Sequence, residues 1–186
     1  PLLPASEVMT KIIQDLQEAR ILLNEDPVKT EGGLSSGNAG ESSNFLCYRA
    51  LRLNYYAVTG LLARVCLYAG QRENAFNYST EVIKASNNGI FPFVDRSLVN
   101  GTAQDPDRIF SPEVLFALSD SQRGELFEEY FDPSLAPNMV FRMETDLLEQ
   151  TIYGGTGTGG NLDDYRCRSN WISSGSACYF YKYSDM

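Results

Sequence analysis

Val8, Ile12, Leu16, Ala19 and Leu23 step by four and three through a stretch otherwise rich in acidic and amide side chains. This spacing predicts an amphipathic helix over residues 6–23 with one face for a core. Met9 and Ile13 widen the stripe, Asp15, Gln17 and Glu18 fall largely on the other side, and Ser6 is a natural N-cap. Residues 29–44 hold Gly32, Gly33, Gly37 and Gly40 among Ser and Asn, which predicts an exposed loop. Helical spacing returns at Leu51, Tyr55, Val58, Leu62, Val65 and Tyr68 and predicts a helix over 48–69, stopped by Gly70. Leu61, Ala63, Cys66 and Ala69 make its C-terminal half apolar on nearly all sides, so burial between neighbours is expected. A third helix is expected over 72–87, with Ala75, Ser79, Val82 and Ile83 inward and Asn87-Asn88-Gly89 at its end. The link between the two is so short that they must run antiparallel.

After residue 90 the pattern changes, and Pro92, Pro106, Pro112, Pro133 and Pro137 interrupt it. Glu113 to Leu118 predicts a short buried strand or extended segment, and 125–131 and 142–150 predict short helices. Residues 151–181 read as loop, with five glycines between Gly154 and Gly160. The expected organisation is a helical scaffold over 1–90 and an irregular region over 91–186.

Composition agrees with a packed protein: 43% of residues are hydrophobic, 12% aromatic and 21% charged, which excludes disordered and collagen-like classes. No run of 18 apolar residues is present to span a membrane, and Pro1-Leu2-Leu3-Pro4 does not resemble a signal peptide. The chain has no His, which removes His-based triads, metal ligands and proton shuttles. Its net charge of −9 repels nucleic-acid phosphates and anionic lipid surfaces. Most of that charge belongs to residues 91–186, with fifteen acidic and seven basic side chains, against nine and eight over 1–90. Fifteen of the 22 aromatic residues lie there too. A ring-rich, acidic, Arg-bearing half suits neutral polar ligands such as sugars, or a partner protein, as well as an irregular core with a solvated face. Cys66 is expected as a buried thiol, and Cys167 and Cys178 could pair in an oxidising compartment. Four Cys without CxxC or His give no zinc site.

Leu62 and Ala63 ahead of Gly70, with Ala75 after it, form a degenerate tetratricopeptide signature, though Ser79 stands where that repeat usually has a large ring. The longer run from Arg52 to Gly70, RLNYYAVTGLLARVCLYAG, followed by Val82-Ile83, resembles the SusD/RagB family of outer-membrane nutrient-binding lipoproteins. Further matches follow in the family's order: the leading helix with Leu16, Ala19 and Leu23, then Pro112 to Leu118, Asp164-Tyr165-Arg166 and Lys182-Tyr183. Family members are much longer and begin with a lipoprotein signal and Cys, so the chain is expected to be a middle fragment. The resemblance implies a mainly α fold: tetratricopeptide-like hairpins in an α-superhelix, an irregular ligand-binding insertion and a few short strands. It implies a lipid-anchored protein on the extracellular face of the outer membrane. Such a protein caps a SusC-like TonB-dependent transporter and passes glycans, or peptides in some members, inward without chemistry or cofactor. A peptide-binding relative or tetratricopeptide adaptor, whose groove would favour basic peptides, is the alternative, and a glycoside hydrolase a more distant one.

Gly155-Thr156-Gly157-Thr158-Gly159-Gly160 satisfies G-x-G-x-x-G by letter. Asn161-Leu162-Asp163-Asp164 follows, without helical periodicity and with two carboxylates where phosphate would sit, so a flexible surface loop is the better reading. Glu128/Glu129 and Asp163/Asp164 are adjacent pairs whose side chains point apart, which suits a solvated face more than a glycosidase cleft. Asp105-Pro106-Asp107 lacks the spaced ligand series of a calcium loop. Trp171, the sole Trp, lies beside Asn170 and downstream of Tyr165 and Arg166. A flat ring with an amide and a guanidinium suits sugar stacking and hydroxyl bonding, and it equally suits a lid on the core. For Tyr165 and Arg166 a structural role competes, with Asp164 and Arg166 expected to form an ion pair. The candidate ligand-binding set is Trp171, Tyr165, Asn170, Arg166 and Tyr153.

Overall fold

Caps and backbone punctuation, more than apolar periodicity, set the helix boundaries. The computed structural model describes residues 3–36, 44–99, 106–154 and 164–184. The chain is mainly helical with a small three-stranded antiparallel sheet. It divides into two units: residues 1–93 with 112–119, and residues 94–111 with 120–186.

In the first unit, α1 runs Ala5–Leu22. Pro4 stands at the N-cap and no side chain caps the helix; Ser6 lies inside the first turn, where its carbonyl accepts from Thr10 Oγ1 at 2.9 Å. The buried face is rotated from the expected stripe. Ile13 is buried, with Leu16, Ala19 and Leu23 against the same cluster, while Val8 and Ile12 stay exposed. α2, Val28–Glu31, is one helical turn where a loop was expected. At Gly33 an added Cβ would lie 2.6 Å from the Phe91 ring and 3.0 Å from Ala50 Cβ, so the absence of a side chain permits this approach.

α3 begins at Tyr55, not at residue 48, and runs to Tyr68. Arg49–Leu51 is a separate 3-10 turn, and the extended Arg52 breaks the helix. Asn54 supplies the true cap: its Oδ1 accepts from Ala57 N–H at 2.9 Å. α4 spans Arg72–Asn87. Both helices end in the same motif. After α3, Gly70 at φ +76° lets Gln71 N–H reach the Cys66 carbonyl and Gly70 N–H the Leu67 carbonyl; Gly89, Ile90, Ala85 and Ser86 repeat this after α4. The hairpin is antiparallel, since Tyr55 at the start of α3 bonds Glu81 near the end of α4. Ile13, Val58, Leu62, Cys66 and Ala75 form its core. Ile83 is not inward but 58% exposed; Ala85 is buried instead. Leu61, Leu67 and Tyr68 are also exposed, so the C-terminal half of α3 is covered on one side only, contrary to its all-round apolarity.

Polar groups lock this unit as firmly as apolar ones. Asp26 takes Arg49 Nε and Nη2 at 3.0 and 2.8 Å and the N–H groups of Val28 and Tyr55. Arg49 Nη2 also donates to the Leu53 carbonyl. Burial pushes the Asp26 carboxyl upward, but the Arg49 and backbone hydrogen bonds outweigh it and hold it below the usual range. Segment 112–119 begins in a 3-10 turn, Ser111–Glu113, and joins no sheet. Its Leu115 carbonyl accepts from Asn54 Nδ2 and its Ala117 N–H reaches the Ala50 carbonyl. It is half-buried to exposed, not the buried strand the apolar run suggested.

In the second unit, α5 is Arg96–Val99 and α6 is Arg123–Tyr130. β1, Arg142–Glu144, replaces the start of the helix expected over 142–150, and a π-helical segment Leu147–Ile152 follows, anchored by buried Leu148. The region expected to be loop contains α7, Tyr165–Asn170, and a hairpin of β2, Trp171–Ser174, and β3, Ala177–Phe180. Gly175 at φ +63° provides the backbone that a two-residue hairpin turn requires. Strand order is β1-β3-β2, all antiparallel. Rings pack this unit: Phe131 meets Phe141, Phe180 and Tyr183, and Phe180 meets Trp171 and Tyr183, with centroids 4.9–6.2 Å apart. Cys167 and Cys178 are both buried and do not form a disulfide. Cys178 Sγ lies 3.2 Å from Ser173 Oγ across the hairpin and 3.4 Å from Thr145 Oγ1.

Candidate functional site

Four of the five candidate residues fall on one short stretch, the junction of α7 and β2. Asp164 starts it as an N-cap, accepting from Arg166 N–H at 2.9 Å. The expected ion pair is present: Arg166 Nε and Nη2 bond Asp164 Oδ1 and Oδ2 at 3.0 and 2.6 Å. The Arg166 hydrogen bond, against a smaller opposing effect of burial, holds the Asp164 carboxyl low, and the same carboxylate raises Arg166 further. The pair is exposed on the Arg166 side, so its net stabilisation is small, about 0–1 kcal/mol. Tyr153, at the end of the π-helical segment, is close enough to Arg166 to act on its charge. Tyr165 is partly exposed, with the Arg96 guanidinium 5.5 Å from its ring centre.

Arg166 and Asn170 stand four residues apart on α7, and Trp171 opens β2 immediately after. β2 pairs only with β3, so Trp171 sits on a sheet edge. Its ring is half-buried and packs on Phe180, the residue opposite it, with centroids 4.9 Å apart. Structurally, therefore, Trp171 does serve as a partial lid. The Asn170 carbonyl receives Tyr181 N–H at 2.7 Å, which fixes the corner.

The side chains there are less settled. Asn170 is 6% exposed and Ser169 4%, yet Asn170 Oδ1 and Ser169 Oγ are buried without a hydrogen-bond partner. Such orphans cost about 1–3 kcal/mol each and are uncommon in folded proteins. Sequence reasoning singled out Asn170 for its chemistry but missed Ser169 and Arg96. Ser169 carries no motif, and Arg96 reaches Tyr165 only through the fold.

The glycine-rich run 155–160, Asp105 and Asp163 lie outside the described residues. Asp107 accepts from Ser111 N–H and Oγ at 2.8 and 2.7 Å, a local turn. Among the described residues no group of three or more His, Cys, Asp or Glu could hold a metal ion, and no helix is long and apolar enough to cross a membrane. No family model, curated protein or solved structure matches the chain.

Proposed function

We propose that this chain captures oligosaccharide or polysaccharide as part of a SusD/RagB-type protein and leaves it chemically unaltered. The glycan then passes to a SusC-like TonB-dependent transporter at the extracellular face of the outer membrane, where a lipid anchor would hold the full protein. In this reading the α3–α4 hairpin is one tetratricopeptide-like unit of a superhelix. Its antiparallel packing and its glycine-closed ends at Gly70 and Gly89 support that.

One observation carries the ligand assignment: unpaired Ser169 Oγ and Asn170 Oδ1 lie directly before an edge-strand Trp171, with Tyr165 and Arg166 one turn away. A sugar presents both complementary surfaces. Its CH-rich face stacks on indole, its hydroxyls accept from a guanidinium, and they donate to the two lone acceptors where binding opens the corner that buries them. Affinity for a short oligosaccharide is expected to be modest, because ordering costs offset a few stacking and hydrogen-bonding contacts. Retardation electrophoresis through a panel of neutral polysaccharides tests this. Retardation by at least one glycan, abolished in Trp171→Ala and weakened in Asn170→Ala, is the expected result. Retardation indifferent to both changes would move the site elsewhere, absence of retardation would remove the glycan, and release of reducing ends would make the protein a hydrolase.

A further inference from the structure

The outer face of the α3–α4 hairpin holds a groove of about 510 Å³. Gly60, Ala63, Arg64 and Leu67 line it from α3, and Arg72, Ala75, Phe76 and Ser79 from α4. Gly60 has no Cβ and Ala63 and Ala75 carry only methyl groups, so the floor is low and apolar. Leu67 and Phe76 stand as walls, 64% and 68% exposed. Exposed Tyr68 and Ile83 lie on the same two helices. Scattered exposed apolar residues are ordinary, whereas these walls gather around one recess.

Charge identifies the occupant. The chain carries −9 overall, but no carboxylate lines this groove, and its two ionic side chains are arginines. Neither the Arg64 nor the Arg72 guanidinium makes an ion pair or hydrogen bond with any described residue, and both side chains are exposed. α3 contains no acidic residue; of the two in α4, Glu81 is occupied by Arg20 and Tyr55 on the α1 side, and Glu73, exposed beside Arg72, does not line the groove. The groove is thus a cationic-rimmed apolar slot on an acidic protein. It would repel the basic peptides that net charge alone favours.

We propose that this groove docks an amphipathic helix of a partner protein whose apolar face is flanked by Asp or Glu. Gly60 to Leu67 spans about two turns, roughly 10 Å, which matches apolar anchors at i, i+3 or i+4, and i+7. The hairpin already accepts one helix this way on its other side, where Ile13, Leu16 and Ala19 of α1 pack on Val58, Leu62 and Ala75. The proposal does not depend on the glycan reading, and Trp171→Ala should leave it untouched.

The test uses a fluorescently labelled, stapled helical peptide with Leu anchors at those spacings and Glu on both flanks, and its twin with Lys for Glu. Fluorescence anisotropy with the full chain should show the Glu peptide binding on the order of tenfold tighter than the Lys twin, with the difference shrinking as salt rises. The double variant Arg64→Glu/Arg72→Glu, which removes no ion pair or side-chain hydrogen bond among the described residues, should reverse the preference while its circular dichroism stays unchanged. Phe76→Ala should weaken both peptides. Equal binding of the two peptides, binding of neither, or self-association in sedimentation that the double variant abolishes would each overturn the proposal; the last would give the groove to a second copy.

Discussion

In the helical unit every buried polar side chain among the described residues has a partner. Asp26 and Arg49 bond each other, Asn54 bonds three carbonyls and an N–H, and Thr59 bonds the Tyr55 carbonyl. The second unit is held by rings, and it buries Ser169 Oγ and Asn170 Oδ1 without partners. A satisfied polar network specifies one arrangement, because each member is costly to leave alone. Edge-to-face rings are worth only about 0.5–1.5 kcal/mol per pair beyond their burial. The first region therefore has the chemistry of a scaffold, and the second keeps hydrogen-bonding capacity in reserve.

The largest expected effect comes from breaking the network. Asp26→Ala leaves the Arg49 guanidinium, 4% exposed, without its carboxylate, and two backbone N–H groups without an acceptor. A loss of about 3–5 kcal/mol follows for a buried charge so stranded. Urea unfolding followed by circular dichroism should show it. The same titration followed by fluorescence of Trp171, the sole Trp, reports the second unit separately. Coincident shifts by both probes would show that the two regions unfold together and erase the distinction. In the second unit, Phe180→Ala removes contacts with Phe131, Trp171 and Tyr183 at once. A smaller cost, about 2–3 kcal/mol, is expected because the ring is half-buried.

The pH dependence separates the regions again. Burial and the 2.6 Å hydrogen bond to Glu81 push the Tyr55 hydroxyl up to about 12 from its ordinary 10. A raised folded value means the proton is held more tightly in the native state. The stabilisation is therefore complete below pH 10 and disappears as pH climbs towards 12, about 2–3 kcal/mol in total. Tyr55→Phe should flatten that alkaline slope. Asp26 acts at the other end: its folded value is depressed, so its contribution is present above about pH 4 and is lost as acid protonates it. Denaturation midpoints of wild type and Tyr55→Phe from pH 8 to 11.5 check the first. An unchanged slope would mean that Glu81 does not hold the phenol proton.

What the sequence disclosed follows the same division. Helix ends with a local backbone signal were readable: Gly70 and Asn87-Asn88-Gly89 stop helices because left-handed backbone favours Gly there. The start of α3 was misplaced because Leu51 fits the apolar period, while Asn54, the residue that caps the helix, has no distinctive periodicity. Ile83 looked inward by spacing, yet which side of α4 is covered depends on where α1 packs, a tertiary choice. The β2–β3 hairpin was missed because Ser173, Ser174 and Ser176 lack the branched and aromatic side chains that mark strands; its Trp171 and Phe180 find each other only across the turn. In the candidate site, residue chemistry named Trp171, Asn170 and Arg166, and the Asp164–Arg166 pair was legible from adjacency. Burial without a partner was not, since it is a property of the surroundings.

The smallest effect tests the reserve directly. Ser169→Ala removes a buried hydroxyl that bonds nothing, so stability should stay level or rise by up to about 1 kcal/mol, where a typical buried truncation loses stability. Asn170→Leu exchanges the orphan amide for an apolar group of similar size and should fall within about 1 kcal/mol of wild type. If these groups wait for a ligand, the same two variants should nonetheless lose glycan retardation. Stability unharmed with binding lost would separate function from folding at this corner. Both variants destabilised by 2 kcal/mol or more would show instead that Ser169 and Asn170 are already satisfied, and the contrast between the two regions would vanish.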